Sequence, residues 1–112
     1  MLFRSGDVAL CAIVERIQEG LRTYDYLGRI GGDEFLIITP GGDRSSIPTL
    51  YERLRDSVAD NPVPAGGAGL PITVSIGLAS CEGYGDADEM IASADAALYR
   101  AKAAGRNRVE QD

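Results

Sequence analysis

The residues best suited to chemistry in this chain stand together at positions 31–34, Gly31-Gly32-Asp33-Glu34. Two glycines without side chains let a ligand approach the backbone. Two successive carboxylates offer hard oxygen donors at one turn, which is what a magnesium ion carrying a phosphate ester takes. The same four residues also suit an ordinary polar hairpin, so the turn by itself leaves both readings open. A second group of charges lies near the end, at Arg100, Lys102, Arg106 and Arg108, preceded by Glu82, Asp86, Asp88, Glu89 and Asp95. Such a pattern is either a solvated helix face or a set of cations for an anionic ligand. Composition removes other chemistries. Histidine is absent, which excludes zinc sites and Ser/His/Asp or Cys/His nucleophile systems. The two cysteines, Cys11 and Cys81, are far apart and read as cytosolic thiols. With 11 Lys and Arg against 17 Asp and Glu, the formal charge is −6. Non-specific binding to nucleic acid or anionic lipid is therefore not expected, and any anionic ligand must be met by a metal or a few placed cations.

The chain that must position these groups has 112 residues, room for one domain with a modest core. Hydrophobic residues at 45% and charged residues at 25% are ordinary for a globular chain. No apolar run approaches the roughly 20 residues that cross a bilayer. The Met1-Leu2-Phe3-Arg4 start lacks the regions of a signal peptide, so a soluble cytoplasmic domain is expected. Leu10, Ile13, Val14, Ile17 and Leu21 recur at helical offsets and predict a helix from about Asp7 to Thr23. Arg29-Ile30 and Phe35 to Thr39 flank the two glycines, whose freedom at positive φ predicts a tight β-hairpin closed by Pro40. After Gly41-Gly42-Asp43, Ser45 or Ser46 caps a helix with Pro48 in its first turn and Leu50, Leu54 and Val58 inward, ending before Asn61-Pro62. Val63 to Pro71 is rich in Pro and Gly and reads as a loop. Ile72, Val74, Ile76 and Leu78 then alternate with Thr73, Ser75, Gly77 and Ala79. That is a strand with one face of small side chains, against which something packs closely. Asp86 and Glu89 form a capping box for a helix with Ile91, Ala94, Leu98 and Ala101 inward, stopped by Gly105. A short strand at Arg108-Val109 closes an α-β-β-α-β-α-β order. The class is mixed α/β or α+β, a βαββαβ-type unit without its opening strand.

Three segments together carry a family resemblance. Arg29-Ile30-Gly31-Gly32-Asp33-Glu34-Phe35 resembles the signature of the GGDEF domain, the diguanylate cyclase family. Thr73-Val74-Ser75-Ile76-Gly77 resembles its later strand. The segment from Ala94 to Val109 resembles its closing helix and strand. The resemblance runs from Gly6 to Val109. It implies a ferredoxin-like, nucleotidyl-cyclase-type βααββαβ fold lacking its first strand. It also implies an enzyme that joins two GTP molecules into cyclic di-GMP with release of pyrophosphate, using Mg2+ or Mn2+ and two facing domains, each holding one GTP. By position, Asp33 matches a metal-ligating carboxylate that assists deprotonation of the attacking hydroxyl, and Glu34 matches its metal-site neighbour. Gly31 and Gly32 match the backbone cradle beside the nucleotide. Lys102 and Arg106 match the cations for the phosphates, and their offset of four places both on one helical face; a solvated face remains their alternative. Asp7 matches a residue that binds the guanine edge, and also suits a plain helix N-cap. Arg22-Thr23-Tyr24-Asp25, with five residues between Asp25 and Gly31, matches an inhibitory product site where Arg grips guanine and phosphate and Asp accepts from a guanine. Arg53 matches a secondary arginine for that product, or is a surface charge.

The resemblance breaks at the start. The family's opening strand, with its Asp-x-Asp-x-Phe-Lys-type segment and first metal ligand, has no counterpart, and neither does an Asn that helps recognise guanine. Met1 to Ser5 carries no carboxylate. The chain is therefore expected to be a single partial GGDEF domain, a fragment of a longer reading frame or a degenerate descendant, and not to turn over substrate alone. Without that strand, two strand groups are expected to keep unpaired edges. Beside the cyclase reading stand a noncatalytic cyclic di-GMP receptor and a degenerate module that serves only as an interaction surface.

Overall fold

The computed structural model of the chain describes residues 5–41, 45–65, 68–80 and 85–112. Within these residues three helices and six short strands follow in the order α1 Ser5–Gly20, β1 Tyr26–Arg29, β2 Phe35–Ile38, α2 Ile47–Ala59, β3 Val63–Ala65, β4 Ala68–Leu70, β5 Ile76–Leu78, α3 Ala87–Ala103 and β6 Val109–Gln111. The mixed α/β class is as expected. The strands form three two-stranded sheets: β1 with β2 antiparallel, β3 with β4 antiparallel, and β5 with β6 parallel across α3. Among the described residues the β1–β2 and β5–β6 groups are thus separate sheets. Two segments depart from the sequence reading. The stretch read as a loop after Val63 contains the β3–β4 ribbon, in which Val63 is buried and Pro64 pairs with Gly69; a two-stranded ribbon has edges that tolerate a proline. The strand expected from Ile72 pairs only at Ile76–Leu78, since its partner β6 is three residues long. Cys81, Glu82, Gly42 and Asp43 lie outside the described residues.

The core forms where the helices meet the strands. Ile17 of α1 and Tyr51, Leu54 and Val58 of α2 make its buried centre. Packed against them are Leu27 and Ile37 of the hairpin, Ile76 and Leu78 of β5, and Val109 of β6. The inward stripe of α2 is Ile47, Tyr51, Leu54 and Val58 rather than one containing Leu50, which is half-buried. Tyr51 fits there because its ring is apolar and its hydroxyl meets Thr39 Oγ1 at 3.3 Å. Ser46 takes the N-cap position with Pro48 in the first turn, although its side chain does not make the cap hydrogen bond.

The close approach foreseen for β5 is real. A Cβ on Gly77 would strike the Ala94 carbonyl and the Leu98 amide of α3, and would lie 2.9 Å from Leu98 Cα. Such an approach demands small residues from the helix as well: α3 buries Ala97 and Ala101, while Ile91, expected inward, is 42% exposed. Of the capping box expected at Asp86 and Glu89, the Asp86 half forms, while Glu89 reaches one residue further back, to Gly85 rather than to the Asp86 amide. Asp86 Oδ1 accepts from the Glu89 amide at 2.8 Å, and Glu89 Oε2 accepts from the Gly85 amide at 3.0 Å. Gly105, at φ 119°, ends the helix.

Candidate nucleotide site

The β1–β2 register pairs Arg29 with Phe35, so residues 30–34 form the hairpin tip. Its backbone closes through Ile30 N–H and Gly31 N–H, both donating to the Glu34 carbonyl at 3.0 and 3.4 Å. Neither Gly31 nor Gly32 has positive φ. The expected tight left-handed turn is corrected to a wider loop, and the reason is Arg29. Its Nε donates to the Gly31 carbonyl at 3.1 Å and its Nη2 to the Gly32 carbonyl, so a side-chain clamp replaces turn geometry. Gly32 faces open space, with nothing within 4 Å of where a Cβ would stand. The tip therefore presents bare backbone followed by the exposed Asp33 and the half-exposed Glu34.

Glu34 points towards the last helix: its Oε1 lies 3.8 Å from Lys102 Nζ, with the two side chains 44% and 42% exposed. At that separation the pair is ionic contact without a hydrogen bond, so the three ammonium donors stay available. The acidic tip and one of the two expected cations are thus brought together from 68 residues apart in sequence. Arg106 is not on the same helical face. α3 stops at Ala103, and Arg106 sits beyond Gly105 with φ 63°, its amide donating back to the Ala101 carbonyl at 2.9 Å. The offset of four is a helical spacing only while the helix lasts, and Gly105 ends it. Asp7 falls inside the first turn of α1, which begins at Ser5; its side chain lies outside what the structure describes.

No group of three or more His, Cys, Asp or Glu gathers as a metal cluster among the described residues. Two successive carboxylates on an open turn nevertheless fit a hard divalent cation that completes its shell with phosphate oxygens and water. Between α1 and the hairpin runs a cleft of about 440 Å³, lined by Leu10, Cys11, Val14, Leu27, Gly28 and Phe35 among others.

Arg22 and Asp25 lie together after α1. Asp25, whose side chain is 0% exposed, accepts from Arg22 Nε and Nη2 at 3.1 Å each and from the Arg22 amide at 2.8 Å. These hydrogen bonds hold the Asp25 carboxyl below the usual range and raise Arg22 further. Arg22 Nη2 also donates to the Pro40 carbonyl at 3.4 Å, and its Cζ sits 4.6 Å from the centre of the Tyr24 ring. Asp25 is therefore engaged in aiming the Arg22 side chain, which is 36% exposed. Burial pushes the Tyr51 phenol up, with Asp25 adding to the shift. Arg53 is exposed on α2. The roles of Arg29, Tyr24 and Tyr51 are absent from the sequence reading; an arginine two residues before the first glycine is the one local hint.

Comparison with known proteins gives a consistent result. A family model described as "Diguanylate cyclase, GGDEF domain" matches residues 3–108. Diguanylate cyclase DgcP of Pseudomonas aeruginosa is 39% identical over 106 residues, which is 95% of this chain and 16% of that protein. Diguanylate cyclase DgcM of Escherichia coli is 42% identical over 105 residues, 93% of this chain and 25% of that protein. The chain thus spans a quarter or less of the length of these relatives. Among solved structures, diguanylate cyclase SiaD in complex with its activator SiaC, from Pseudomonas aeruginosa, matches with TM-score 0.89 and 35% identity over 96% of this chain and 42% of that one. The coiled coil and GGDEF domain of DgcB from Caulobacter crescentus, in complex with c-di-GMP, matches with TM-score 0.88 and 29% identity over 96% and 58%.

Proposed function

The chain belongs to the GGDEF domain family of diguanylate cyclases, and from that membership we propose that residues 1–112 are a single partial GGDEF domain. In this reading it holds one GTP in the cytoplasm and, facing a second copy, takes part in joining two GTP molecules into cyclic di-GMP and pyrophosphate. The observation that supports the proposal is the meeting of Glu34 with Lys102 at 3.8 Å, which brings a carboxylate of the tip and a lysine of the last helix to one place in an acidic protein. Asp33 and Glu34 would hold Mg2+ or Mn2+, which supplies charge neutralisation on the transferring phosphoryl group when bound. Asp33, exposed at the tip, accepts the proton of the attacking ribose 3'-hydroxyl. Gly31 and Gly32 give the nucleotide bare backbone to lie against, with Arg29 fixing their carbonyls. Lys102 and Arg106 bind the phosphates, and Asp7 reads the guanine edge. Arg22 grips the product cyclic di-GMP at an inhibitory site, aimed by Asp25 and assisted by Arg53; Asp25 accepts from guanine only when the pair opens.

The test is calorimetric titration of the chain with GTP, with and without magnesium, alongside an assay for cyclic di-GMP. Asp33→Ala is expected to abolish any product and to remove the magnesium-dependent part of GTP binding, a loss of at least about tenfold. Equal GTP affinity in wild type and Asp33→Ala, with magnesium present, would overturn the site.

A further inference from the structure

Three consecutive residues beyond α3 have positive φ: Gly105 at 119°, Arg106 at 63° and Asn107 at 50°. A non-glycine residue keeps such a conformation only where its surroundings over-determine it. Here they do. The Arg106 amide donates to the Ala101 carbonyl at 2.9 Å, and its carbonyl accepts from Arg108 Nε at 3.2 Å. The Asn107 amide donates to Ser75 Oγ at 3.2 Å. The fourth tether comes from another helix: Arg55 Nη1 of α2 donates to Asn107 Oδ1 at 2.9 Å, across 52 residues of sequence. Arg55 is itself held in place. Its Nε donates to Glu52 Oε2 at 3.1 Å and its Nη2 to Asp56 Oδ1, and its side chain is only 19% exposed. A guanidinium fixed by two carboxylates of its own helix, with its remaining edge on one amide, is a rigid strut.

We infer that Arg55 is a positioning residue for Arg106: by holding the Asn107 side chain it fixes the left-handed turn from which Arg106 reaches the phosphates of GTP. The inference rests on the phosphate role proposed above for Arg106. Arg55 touches no substrate and acts through the turn alone.

The experiment is a double-mutant cycle read by calorimetric titration of the whole chain with GTP and magnesium. Arg106→Ala is expected to weaken binding about tenfold and Arg55→Ala about fivefold, while adding Arg55→Ala to Arg106→Ala changes nothing further. Asn107→Gly, which keeps the positive φ but drops the anchor, is expected to reproduce the Arg55→Ala loss and carries the test if Arg55→Ala does not fold. An Arg55→Ala loss of the same factor with and without Arg106, or wild-type affinity in both Arg55→Ala and Asn107→Gly while Arg106→Ala loses binding, would overturn the inference. Wild-type affinity in Arg106→Ala would instead remove the phosphate role itself, a separate and recognisable failure.

Discussion

Asp25 is a carboxylate with no exposed surface whose three hydrogen bonds all go to Arg22, so its ionised form is built into the folded state. Because its folded value is held below the ordinary carboxylate range, the stability it contributes is present above that range and is lost as pH falls through the lowered value. Urea unfolding midpoints of wild type are therefore expected to drop more steeply than those of Asp25→Asn between about pH 5 and pH 2. Parallel profiles would mean that the pair carries no pH-dependent stability. At this scale Asp33 and Glu34 stand out in the chain by type and position, whereas Lys102, Arg106, Arg22 and Asp25 are singled out by their match to the family's motifs. Which of them touch was not legible there. That Asp25 is spent on Arg22 depends on a bend between α1 and β1 that no spacing rule states.

At the scale of elements, the contact between β5 and α3 shows how a glycine sets a packing distance. A Cβ at Gly77 would meet backbone atoms of Ala94 and Leu98, which cannot move without shifting the helix, whereas one at Gly32 would meet nothing. Gly77→Val is expected to cost about 2–3 kcal/mol of unfolding free energy, while Gly32→Ala stays within about 0.5 kcal/mol of wild type. Chemical denaturation of the two variants checks this, and equal losses would refute the packing argument. The small face of this strand was readable from Ser75, Gly77 and Ala79. Its shortness was not, because strand length is set by the partner β6, and the β3–β4 ribbon was hidden by the Pro and Gly that usually mark loops.

At the scale of the whole molecule, no sheet joins the hairpin to the β5–β6 pair among the described residues, so the helices must unite them through the Ile17, Tyr51, Leu54 and Val58 core. No described helix is long and apolar enough to cross a membrane. Leu54, 2% exposed, is at the centre of that core. Leu54→Ala is expected to cost about 2–5 kcal/mol and to lower the melting temperature by on the order of 10 °C or more as one cooperative transition. Two separated melts would show that the strand groups fold independently. By itself, the sequence determined the helices, the Asp86 cap and the acidic hairpin, because these depend on periodicity and local side-chain chemistry within a few residues, and its three motifs carried the resemblance to the family. Only the tertiary structure decided that Glu34 faces Lys102 and that Arg55 of α2 holds Asn107 beyond α3. Those are contacts between distant segments, and their geometry exists only once the core has brought the segments together.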